Sequence, residues 1–182
     1  FHTTATICDE QGELLYYTNG IFIADKYGII VENSTGISPC PYTTAWENNG
    51  LNIYQAAIFL PCPGNNRYYY LFHFSNDTLN NARPGTLYYS LIDKQGNFGF
   101  GSVVRKNVVF AKGKFRGGGM TACKHGNGRD WWLIMGESNN NTFDKFLVTS
   151  DSVSGPYRQS IGPAYLLPYD LAYSTFSEDG SK

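Results

Sequence analysis

Cys123-Lys124-His125 sets a thiol and an imidazole two residues apart, and a thiolate with an imidazole is half of a zinc site. The other half needs a second Cys/His pair at ligand spacing, and none follows; His2 and His73 stand far off in sequence. His125 is therefore expected to hydrogen-bond within a turn, and Arg129-Asp130 to orient the loop ahead of Trp131-Trp132. No metal ligand set and no cofactor is expected. Gly117-Gly118-Gly119 after Lys114 invites a phosphate-loop reading. A Walker loop needs Gly followed by Lys-Ser/Thr at a helix start, whereas Met120-Thr121-Ala122 enters a strand. The better account is a connector whose glycines permit close backbone approach. The nucleophile elbow, HExxH and GxGxxG are all missing. Glu47, Asp77, Glu137 and Asp144 make a glycosidase pair only if folding brings two of them within several ångströms, so no catalytic residue is assigned.

Binding chemistry has more candidates. Trp46, Tyr42, Tyr54 and Tyr169 lie in loop-like segments, where an aromatic ring stacks on sugars or anchors a protein partner. The competing role is to cap the ends of the sheets. Four cysteines allow three full pairings. Cys40 and Cys62 sit in Pro-rich contexts, where a disulfide between them would staple the long intervening loop. Cys8 and Cys123 border apolar strands and read as small buried thiols. Asn33-Ser34-Thr35, Asn76-Asp77-Thr78 and Asn140-Asn141-Thr142 match the N-glycosylation acceptor.

These residues hang on a repeated device: an apolar strand, an Asp-x-x-Gly turn, and another apolar strand. It occurs at Asp9–Gly12, Asp25–Gly28 and Asp93–Gly96, and a shortened version begins at Phe176 and stops at Gly180. Asp accepts hydrogen bonds from amides two or more residues on, and Gly supplies the positive φ that closes a hairpin. The composition agrees: aromatics are 16%, with 20 Gly and 8 Pro in 182 residues, a mixture that suits strands and turns. Charge is low and balanced, 14 Lys+Arg against 15 Asp+Glu, so no nucleic-acid partner is expected. No apolar run is long enough to span a bilayer as a helix, so no membrane insertion is expected. The chain begins Phe1-His2-Thr3 rather than with Met, which suggests a processed chain or a fragment.

Several strands are apolar on both faces: Tyr68–Phe74, Leu87–Ile92, Val108–Phe110, Trp131–Met135 and Phe146–Val148. Such strands belong to sheets covered on both sides, and no amphipathic helix of useful length is available as cover. The sheets must cover one another, as in a β-propeller. The expected fold is all-β: a partial β-propeller of about three to four antiparallel meander blades. The blades run over about 3–54, 55–117 and 118–165, with the next beginning over 166–182. Within the second blade a turn is expected near Asn80–Gly85, with strands over Leu87–Asp93 and Gly99–Val104. An open end would expose an apolar blade face, for which the remainder of a parent chain or another surface protein is the expected cover.

Residues 5–20, Tyr68–Phe72, Leu87–Asp93 and, most specifically, Met120–Trp132 resemble the N-terminal β-propeller region of bacterial proteins exported by the type IX secretion system. The similarity covers most of the chain and is weakest across 34–54 and 111–117. It implies a secreted or surface-exposed module whose sorting domain lies elsewhere. In that family the stretch around Cys123–His125 recurs as a strand and turn, which favours packing over metal binding. No catalytic residue set comes with the resemblance. The expected function is a noncatalytic extracellular module at the bacterial cell surface, acting in binding, adhesion or assembly, with glycan among its expected partners. The alternative is a glycan-active hydrolase with acids at the propeller axis.

Overall fold

The computed structural model describes residues 3–78, 81–164, 173–177 and 180. Asp9 Oδ1 accepts from the amides of Gln11 (3.0 Å) and Glu13 (2.9 Å), and Gly12 closes the turn at φ 85°. The hairpin so formed joins β1 (Ala5–Cys8) to β2 (Leu14–Thr18), and β3 (Ile23–Asp25) completes a sheet of order β1-β2-β3. Asp25 repeats the device on the amides of Tyr27 and Ile29, both at 2.9 Å, and Ile30 then bridges back to Ala24. At Asp93 the hydrogen bonding recurs, but Gly96 sits at φ −61°. Glycine is needed there for room, because a Cβ would collide with the Ser102 side chain. The positive φ passes instead to Asn97, Phe98 and Gly99. His125 builds the same turn with a ring nitrogen in place of a carboxylate: Nδ1 accepts from the Asn127 amide at 3.1 Å, and Gly128 takes φ 71°.

The second sheet has the order β4 (Ala57–Pro61), β5 (Tyr68–Thr78), β6 (Asn81–Asp93), β7 (Ser102–Lys112). The third has the order β8 (Thr121–Lys124), β9 (Trp131–Gly136), β10 (Thr142–Val148), β11 (Val153–Ser160). Every pairing between these strands is antiparallel, and neighbours in sequence are neighbours in space. Helix is confined, among the described residues, to α1 (Pro41–Ala45) and a single 3-10 turn over Asn97–Gly99. The chain is all-β.

Three details depart from expectation. β6, which begins at Asn81, occupies the described part of the expected Asn80–Gly85 turn, and the β5–β6 register shifts by bulges after Ser75 and Asn76. A bulge absorbs residues that an ideal ladder would expel, so the Pro-Gly pair sits inside a strand rather than between two. Next, one strand, β7, runs from Ser102 to Lys112 where two, Gly99–Val104 and Val108–Phe110, were expected. Finally, β11 is a strand that the polar stretch Val153–Ser160 did not announce.

The central sheet is buried on both faces. From β5, Tyr70, Phe72 and Phe74 point into one core with Leu133, Met135, Phe146 and Val148 of the third sheet. Tyr69 and Leu71 point the other way, into a second core with Tyr16 and Ile23 of the first sheet. The period-two alternation of a strand puts successive residues on opposite faces. A strand apolar at every position is therefore what a middle layer requires.

The loop from Glu32 to Cys40 is tied down by polar contacts with that sheet. His73, fully buried, lies between Ser38 Oγ (2.9 Å from Nδ1) and Ser90 Oγ (3.0 Å from Nε2), its ring stacked on Tyr88. Asn33 Nδ2 donates to the Val103 carbonyl, and Asn107 Nδ2 to that of Gly36.

Candidate functional site

The aromatic candidates meet different fates. Pro41 and the Cys40 cap start α1; Cys40 Sγ accepts from the Thr43 amide at 3.3 Å. Tyr42 is thus on a helix, not in a loop. Its ring is buried in the larger core, and its hydroxyl donates to the Asn52 carbonyl. Trp46 follows one turn later, half-buried and 6.2 Å from the Tyr42 ring. Tyr54 is half-buried and meets Tyr173 edge-on at 5.6 Å. Tyr169 lies outside the described residues. The structure therefore does not gather Tyr42, Trp46 and Tyr54 as one exposed platform.

The bridge expected between Cys40 and Cys62 is not formed; both thiols are free. Each is committed elsewhere, Cys40 to its helix cap and Cys62 to the Ser150 carbonyl at 3.8 Å. Burial pushes the Cys62 thiol up from its ordinary range. Cys8 is exposed rather than buried, because its position on β1 faces away from the core. Cys123 is half-buried on β8. Lys124, next to it, lies 3.6 Å from the centre of the Trp131 ring, and burial pulls its ammonium below the usual lysine range. His125 tilts against Trp132 at 5.5 Å.

Of the four acids, Glu137 and Asp144 are brought together. Arg158 Nε lies 3.4 Å from Glu137 Oε1 and 3.1 Å from Asp144 Oδ1. Asp144 is buried, which raises its carboxyl, while Arg158 opposes the rise. Glu137 Oε2 also accepts from Asn140 Nδ2 at 2.6 Å. The geometry is that of a three-member ion network, with carboxylate oxygens already engaged. Glu47 stands exposed on its own loop, and the Asp77 side chain lies outside the description.

A hollow lies where β4 and β8 face the segment 173–177. Gln55, at φ 47°, turns its side-chain amide onto that segment: Nε2 donates to the Ser174 carbonyl (2.8 Å), and Oε1 accepts from the Ser174 amide (3.0 Å). One side chain thus reproduces both hydrogen bonds of a paired strand residue. The Gly180 amide donates to the Ser177 carbonyl at 2.8 Å. On one side of it is a cavity of about 420 Å³ bounded by Ile58, Lys124, Trp131 and Ser177. On the other is a hollow of about 470 Å³ against Ile134, Phe143, Lys145 and Phe176. Sequence reasoning missed Gln55, because a lone glutamine in a loop carries no signal of what it will pair with. No protein-family model matches the chain, and no curated protein or solved structure does either.

Proposed function

We propose that the chain is a partial β-propeller and serves as a noncatalytic extracellular module of a bacterial cell-surface protein, acting in binding, adhesion or assembly. One observation carries the reading: three consecutive meander sheets stack in chain order, the middle one apolar on both faces. Segment 173–177 supports it further, clamped beside β4 and β8 by Gln55, with the Gly180 amide bonded to the Ser177 carbonyl. In this reading it opens a fourth blade, the other three spanning about 3–54, 55–117 and 118–165. Blades of this kind fix loop geometry and leave recognition to the loops. The remainder of the parent chain, another surface protein or a glycan is the partner this reading calls for.

Digestion of intact source cells with trypsin tests the placement. Loss of the protein from unbroken cells is the expected result; cleavage only after lysis contradicts it. A second reading, glycan hydrolysis, draws on the Glu137–Arg158–Asp144 cluster alone. A hydrolase must release reducing ends from a polysaccharide and lose that activity in Asp144→Asn, whereas the proposed module releases none.

A further inference from the structure

Half of the large apolar side chains that stand exposed among the described residues crowd onto two neighbouring turns. They are Tyr27, Ile29 and Ile30 after β3, and Phe98 and Phe100 between β6 and β7. Phe98 is 99% exposed and sits at φ 57°, ψ 27°. A non-glycine residue in the left-handed region is strained, and such strain persists where the surrounding structure over-determines it, commonly at functional positions. Here the strain holds a bare phenyl ring out in water with no burial to offset it.

Beside this knob are two open hollows, with Phe100 as the wall between them. One, of about 200 Å³, is formed by Ile29, Ile30, Val31 and Phe100 together with Asp25 and Asn97, and its exposed lining is mostly apolar. The other, of about 170 Å³, lies among Leu14, Tyr27 and Phe100. A cavity of about 150 Å³ lined by Leu, Ile and Phe accommodates benzene, so the first hollow has the size and lining to take a phenyl ring. A knob and a matching hollow side by side on one surface are what a two-fold contact between identical chains requires. The rim charges suit it too. Asp25 and Lys26 both line the second hollow, so each copy offers the other both signs.

We infer that the two turns form a self-association surface, in which Phe98 of each copy enters the Ile29–Ile30–Phe100 hollow of the other. The contact uses only the first two sheets and stands independently of the propeller reading. Sedimentation velocity on the chain across its soluble concentration range tests it. The wild type is expected to form a concentration-dependent dimer. Phe98→Gly, which adopts the positive φ without strain, and Ile30→Lys, which spoils the hollow, should each weaken dimerisation at least about tenfold. Both variants should keep the wild-type circular dichroism spectrum. Mixed together they should regain part of the association, because one intact knob meets one intact hollow. A wild type monomeric throughout overturns the inference, including one whose Phe98 instead drives binding to phosphatidylglycerol vesicles. So does a dimer that Phe98→Gly leaves undiminished.

Discussion

At the scale of single residues, His73 is the group whose chemistry is most changed by the fold. Burial, with no charged partner, holds its imidazole down to about 3 against an ordinary 6.5. The folded state therefore resists protonation that the unfolded chain accepts. As pH falls below 6.5 the unfolded state binds the proton first, and stability is lost through the window down to about 3. Two seryl hydroxyls complete the ring's hydrogen bonding, so the neutral form costs little. Urea unfolding at pH 8 and at pH 5 should differ by about 2 kcal/mol from this group, with the more stable protein at pH 8. A profile flat between pH 6.5 and 5 contradicts the buried neutral ring. Asp93 shifts in the same direction for a different reason: the Arg67 guanidinium, at 2.7 and 2.6 Å, favours the charged carboxylate and holds it below the usual range, so its contribution too is lost on acidification, and Arg67 is itself solvent-facing. Nothing in the sequence distinguishes His73 from an ordinary strand residue, since the serines that hold it are 35 and 17 positions away.

At the scale of elements, the turns explain both what could be read in advance and what could not. Asp-x-x-Gly is local chemistry: the carboxylate, the amides it accepts and the glycine lie within five residues, so Asp9 and Asp25 announce their hairpins. Asp25 is buried and its Oδ1 satisfies two amides, whereas the Asp9 bonds are solvent-exposed. Asp25→Ala should accordingly cost about 1–3 kcal/mol and Asp9→Ala clearly less, measured as the difference in urea midpoint. Equal losses contradict the assigned roles. The β11 strand was hidden because its pattern is set by its position. As an outer strand it needs no apolar face, and from Gly155 onward its residues are exposed. The five-residue α1 escaped notice for a related reason, being too short for periodicity to register. Its start was nonetheless written in Cys40-Pro41, a side-chain acceptor followed by proline at the first turn. The binding candidates were misread where burial decided the matter. Tyr42 looks like a loop aromatic until the Ile53 and Leu60 around it are known to be core.

At the scale of the whole molecule, the informative signal was the excess of apolar residues. Tyr68–Phe74 has no polar face to give to water, which demanded cover on both sides, and the first and third sheets supply it. The Gln55 clamp and the Phe98 knob were not legible, because each depends on what the fold brings opposite it. The central claim is that the second sheet is the middle layer of a stack, and native-state hydrogen exchange tests it most directly. The paired amides of β4 to β6 should exchange only by global unfolding, slower than those of β1 and β11, the edge strands of the first and third sheets. Exchange in β4 to β6 as fast as in β1 and β11 would contradict the stacked arrangement.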